Sequence, residues 1–151
     1  MSERNVEIVR QDIDARSSRD WDVLAEIWHK DIELELVGGS GTFRGLEEIR
    51  PFFETLSDLH AEYRVEADEI IDAGDRVVTA ERVGGRGLKG SSAGTWLEDR
   101  FFRVITFKEG KLWRVKEYRT RAEAIEAAGL RTNSTIPPWR RPSDPASSSG
   151  A

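Results

Sequence analysis

The chain contains no cysteine, which excludes disulfides, thiolate nucleophiles and cysteine-held metals and fits a reducing compartment. Histidine is scarce too. Only His29 and His60 are present, without the HxxxH or HxH spacing of a ready ligand set, so no metal site is expected. No apolar run approaches the roughly 20 residues of a membrane span, and the opening MSERNVEIVR is charged where a signal peptide would be apolar. Lys and Arg form no stripe, and the net charge of -5 with a pI near 5.2 offers phosphates no attractive field. These absences point to a cytoplasmic protein with no cofactor and neither nucleic acid nor membrane as partner.

What is present fills one domain. A chain of 151 residues has room for a single core. From Glu3 to Arg16 the apolar residues Val6, Val9 and Ile13 recur at helical spacing. Asp20 can cap a second short helix carrying Trp21, Leu24, Ile27 and Trp28. Ile32, Leu34 and Leu36 alternate with Glu33 and Glu35, the pattern of a half-buried strand. Leu46, Ile49, Phe52, Phe53 and Leu56 predict a third helix with Pro51 as a bend. From His60 to Arg119 the chain reads as strands joined by tight turns, an antiparallel meander with the three helices over one face. A last helix over Arg121–Ala128 stops at Gly129, suited to the left-handed C′ position. The expected fold class is therefore α+β: a curved antiparallel sheet forming a half-cone, three helices on its concave face and a short C-terminal helix. The domain is placed at 1–131. Residues 132–151, rich in Pro, Ser and Gly, are expected to be a flexible tail.

The segments DWDVLAEIWHKDIELEL, GTFRGLEEIRPFFETL and above all ITFKEGKLWRVKEYRTRAEAIEAAGL resemble SnoaL-like proteins of the nuclear transport factor 2-like superfamily, over Glu3 to Leu130. The resemblance implies a cone of strands, a blind apolar pocket for a small-molecule ligand or substrate, and a homodimer formed through the outer sheet face. Leu112 and Tyr118 are the outer-face residues expected to be covered by that dimer. The superfamily includes ketosteroid isomerases, limonene epoxide hydrolases and polyketide cyclases, so fold alone selects no function.

Alternation along the last strand puts Trp113, Val115 and Glu117 on one face and Leu112, Arg114, Lys116 and Tyr118 on the other. A carboxylate among apolar neighbours is a usable acid or base, and Glu117 is the leading catalytic candidate. The run DRVVTAERV splits into Val78, Ala80 and Arg82 against Val77, Thr79, Glu81 and Val83. Arg82 is either an exposed partner of a neighbouring acid or, as resemblance to the epoxide hydrolases implies, the arginine that orients Glu117. Other residues of those enzymes are missing: Gly84, Leu34 and Leu36 stand where they hold polar groups. The ketosteroid isomerase positions are likewise occupied by Leu36 and Arg103. The charge run Glu98, Asp99, Arg100 and Arg103 reads as a solvated face.

Imidazole is the usual base near neutrality. His29, near the pocket rim by resemblance, is a third catalytic candidate, although a helix C-terminus alone accounts for it. His60, at a strand start, is the weaker of the two. Trp113, Val115, Trp28, Phe53 and Leu36 are the expected ligand-contacting residues. The Gly-rich stretch 84–94 reads as a hairpin tip, since a phosphate cradle would run into a helix. Two functions stay open: a hydrolase, isomerase or cyclase acting on an apolar polyketide-, terpenoid- or epoxide-like compound, and a noncatalytic binding or dimerisation module.

Overall fold

The structure, a computed structural model, describes residues 2–39, 41–87 and 94–130. The expected tail and the centre of the Gly-rich stretch lie outside the described residues. Helix α1 (Ser2–Ser18) opens the chain, and its buried face holds Ile8, Val9 and Ile13 but also Asp12 and Arg16. Helix α2 (Trp21–Ile27) is capped by Asp20, whose Oδ1 accepts from the Val23 amide at 3.3 Å. Strand β1 (Trp28–Glu35) follows at once, so Trp28 begins a strand rather than ending a helix. A single 3-10 turn (Val37–Gly39) leads to β2 (Thr42–Arg44) and α3 (Gly45–Asp58). The long strands β3 (His60–Asp72), β4 (Arg76–Gly87) and β5 (Trp96–Lys108) and the shorter β6 (Lys111–Tyr118) come next, and α4 (Arg121–Ala127) closes the described chain.

The six strands form one curved, unclosed sheet in the order β2-β1-β6-β5-β4-β3. The stretch from β3 to β6 is the expected antiparallel meander. The sheet as a whole is mixed, because β1 runs parallel to β6, Leu34 opposite Val115. The physical reason is the crossover: α3 carries the chain from β2 to the far edge at β3, and the meander then walks back until β6 lies beside β1.

Helices α1, α2 and α3 contact β1, β3 and β4, and their apolar stripes meet Val77, Ile105, Leu112 and Val115 in one core. On the opposite face α4 covers a smaller cluster around Val78, Val104 and Ile125. Thr120 caps α4 reciprocally with Glu123, and Gly129 takes φ +84° just past its end. Burying a large aliphatic side chain contributes about 1.5–3 kcal/mol, so the larger cluster dominates stability.

Two expectations for β6 change. Between Thr106 and Phe107 the pairing slips by one, leaving Trp113 as the extra residue of a bulge. Leu112 and Val115 therefore both enter the inner core, at 0 % and 3 % exposure. Trp113 is left half-buried with Lys108 and Arg114 over its ring. Leu112 is thus not an outer-face residue, and Tyr118 packs into the α4 cluster. Tyr118 does stand on the outer face as expected, half-buried there.

Candidate functional site

A cavity of about 470 Å³ opens between α3 and the inner face of the sheet. One side is apolar, with Leu36, Phe52, Phe53, Leu56 and Phe101. The other is polar and carries Arg16, His60, Tyr63, Arg103 and Glu117. Drug-sized ligands occupy pockets of this size and mixed character.

Strand register explains the polar wall. Thr79 pairs with Arg103, and Arg103 with Glu117, so three polar side chains stand side by side across β4, β5 and β6. Glu81, two residues after Thr79, shares its face. Helix α1 then lays Asp12 and Arg16, one turn apart, over them. The result is a buried chain of charges. Trp28 Nε1 donates to Asp12 Oδ1 at 2.7 Å, and Arg16 Nε donates to Asp12 Oδ2 at 3.0 Å. Arg16 also donates to Glu81 Oε1 at 2.9 Å, and the Thr79 hydroxyl donates to Glu81 Oε2 at 2.7 Å. Arg103 Nε lies 3.8 Å from Glu81 Oε1 without a hydrogen bond, and a terminal nitrogen of Arg103 donates to Glu117 Oε2 at 3.1 Å.

Burial pushes the Glu81 carboxyl towards the neutral form, but Arg16 and Arg103, with the Thr79 hydroxyl, overcome it and hold Glu81 below the usual carboxylate range. Arg16 is likewise held firmly charged, since Asp12 and Glu81 outweigh its desolvation. Tyr63 moves the other way. Desolvation raises its phenol despite the opposing pull of Arg16 and Arg103, so it remains a hydrogen-bond donor.

The sequence-derived candidates separate here. Glu117, Leu36 and Phe53 line the cavity. Arg82 does not, because it projects from the outer face, where it contacts Asp68 at 2.8 Å, Glu66 at 3.0 Å and Glu98 at 3.8 Å. Arg103, one strand nearer, makes the contact with Glu117 instead. Trp113 is excluded by the bulge. Val115 lies behind Arg103 in the core, and Trp28 supports Asp12 from the same interior. His29 is remote from the cavity: its Nδ1 accepts from the Asp31 amide at 3.0 Å and its Nε2 meets Glu109 at 2.8 Å. That contact clasps the β5–β6 turn to the start of β1 and holds Glu109 below the usual carboxylate range.

Arg103, Arg16, Asp12 and Tyr63 were missed from the sequence. A signal existed for Glu81, whose alternation groups it with Val77 and Val83. Asp12 and Arg16 fall within the apolar stripe of α1, a position that marks a buried pair. No cluster of three or more His, Asp or Glu suited to a metal occurs among the described residues, and no described helix is long and apolar enough to cross a membrane.

Comparison with known proteins fits this architecture. A candidate polyketide cyclase from Sinorhizobium meliloti is 25% identical with a TM-score of 0.59, the alignment covering 74% of this chain and 93% of that one. Bal32a, from a soil-derived mobile gene cassette, is 22% identical with a TM-score of 0.68 over 83% and 96% of the two chains. A protein of ketosteroid isomerase-like fold from Catenulispora acidiphila, in complex with trimethylamine, is 18% identical with a TM-score of 0.63 over 85% and 97%. No curated protein matches the sequence. The model of the SnoaL-like domain matches residues 9–115, well over half the chain, and the protein belongs to the SnoaL-like family.

Proposed function

We propose that the domain takes a compact, mostly apolar molecule bearing a carbonyl or hydroxyl oxygen into its cavity and acts on it by acid/base chemistry at Glu117. The observation that carries this reading is the Arg103–Glu117 pair. Glu117 is 8 % exposed, its Oε2 is held by Arg103, and its Oε1 has no protein partner among the described residues. One oxygen is thereby fixed and the other is free to take a proton from, or hold a water against, a bound molecule. Arg103 also sets the direction of that oxygen and adds positive charge where negative charge develops on the ligand. The aromatic side formed by Phe52, Phe53 and Phe101 would hold the ligand's rings.

The 25% identical Sinorhizobium meliloti protein, a candidate polyketide cyclase, supports a polyketide-like compound as substrate class. A panel of cyclic ketones, lactones and epoxides tests the proposal. Turnover of one member is expected, with a loss of about 10²–10⁴-fold in Glu117→Gln, the usual scale for removing a proton-transfer group. An unchanged rate in that variant would overturn the assignment.

A further inference from the structure

The bulge at the start of β3 serves something that chemistry at Glu117 does not use. On a regular strand His60 and Tyr63, three positions apart, would face opposite ways. Pairing with β4 slips between Ala61/Arg86 and Arg64/Gly84, which inserts one extra residue. Both rings consequently line the cavity, with centroids 6.1 Å apart. Glu62 absorbs the distortion at φ 55°, a left-handed conformation that is strained for a side chain of its kind, and Arg86 holds its carboxylate at 3.1 Å. Gly85 on β4 leaves the room required. A Cβ there would meet the Ala61 carbonyl oxygen at 2.7 Å and His60 Cβ at 2.9 Å. Bulges of this kind re-aim side chains beside functional sites.

The bulge aims one free nitrogen at the cavity. His60 Nδ1 lies 2.9 Å from the Leu56 carbonyl oxygen, which can only accept, so Nδ1 carries a proton and Nε2 is the nitrogen left to exchange one. Nε2 has no partner among the described residues, nor has the Tyr63 hydroxyl. His29 is the contrast, with both nitrogens engaged. An acceptor and a donor therefore stand together at the β3 end of the cavity, as Glu117 and Arg103 do at the β6 end.

We infer that His60 is a second proton-accepting residue of this pocket, acting on a phenolic or enolic hydroxyl of the ligand while Tyr63 donates to an oxygen beside it. The ligand O–H bond breaks, its electron pair stays on oxygen, and the proton forms the Nε2–H bond. Nδ1–H remains on Leu56, giving an imidazolium. Strands β5 and β4 separate β6 from β3, and His60, opposite Gly87, lies eight positions along β4 from Thr79, which stands in register with Arg103 and Glu117. Both residues line the one cavity, so His60 and Glu117 address different positions of a bound ligand. The inference rests on the small-molecule reading of the cavity but not on the role of Glu117.

The test uses the full chain with 4-nitrophenol, a ring-sized acid whose phenolate is coloured, and with diethyl pyrocarbonate, which acylates free imidazole nitrogen. Peptide mass spectrometry should find His60 modified about tenfold or more faster than His29, and 4-nitrophenol should slow the reaction. Bound 4-nitrophenol should show the phenolate band with wild type and lose it in His60→Gln, with binding weakened about tenfold. Equal labelling of the two histidines overturns the proposal without recourse to a variant. A phenolate band retained in His60→Gln overturns it alone, whereas wild type that takes up no 4-nitrophenol overturns the small-molecule reading as well.

Discussion

Arg82 and Arg103 sit on adjacent strands of one sheet, and both contact carboxylates near 3 Å. Their surroundings are opposite. Arg82 is fanned among Glu66, Asp68 and Glu98 on the outer face, where water competes for every contact. Arg103 is 2 % exposed, with Glu81 beside it and Glu117 in contact on the cavity wall. The same pair of residue types makes a solvated cluster on one face and a buried row beside the cavity on the other. What separates them is the parity of the strand position, because one step along a strand moves a side chain between the two faces.

The largest expected effect comes from removing a cation on the buried side. Arg16→Met leaves Asp12 and Glu81 without their shared partner and should lower stability by about 3–5 kcal/mol, read from urea unfolding. A loss of less than half that amount would show that water reaches the row and that the two faces differ little.

Acid titration comes next. Glu81 is held below its ordinary range in the folded state, so the stability it contributes is full above the unfolded value near 4.3 and is lost as pH falls through the folded one. Melting temperature should therefore drop steeply below about pH 4, and Glu81→Gln should flatten that drop while lowering the plateau near neutrality. Parallel curves for wild type and variant would remove Glu81 from this account.

Glu117→Gln is smaller again. The amide retains one acceptor for Arg103, and a destabilisation of about 1–3 kcal/mol is expected from the weakened charge-assisted bond. On the outer face Arg82→Gln should leave the urea midpoint unchanged within error, since its three acids return to water. A measurable fall there would collapse the distinction drawn between the two sides.

The sequence made the α+β class, the meander and the helix order legible, because each rests on local periodicity and turn residues. Parallel pairing of β1 with β6 left no such mark, as it depends on where the crossover through α3 returns the chain. The site was legible only in part. Glu117 could be found by alternation because β6 is regular from Arg114 onward, but Trp113 could not be placed, since a bulge inverts every residue before it. Arg82 was favoured over Arg103 for want of a register between β4, β5 and β6, and Arg103 was hidden inside a charge run whose other members are exposed. The place of Asp12 and Arg16 in the apolar stripe of α1 marks them as buried, but the acid that Arg16 meets is fixed only by α1 lying across Glu81. His60 was undervalued because its place on the cavity wall depends on a strained Glu62 and on the bare backbone of Gly85.

The parallel contact between β1 and β6 also governs the order in which the molecule can assemble. Leu34 has no strand neighbour on that side until Val115 has been synthesised. A ribosome must therefore release nearly the whole domain before the middle of the sheet can close. Pairing so distant in sequence slows folding, because the loop entropy is lost before the contact is gained. Until that closure the β6-facing edge of β1 offers its backbone groups unpaired, so the middle of the sheet is the last part of the ladder to be completed.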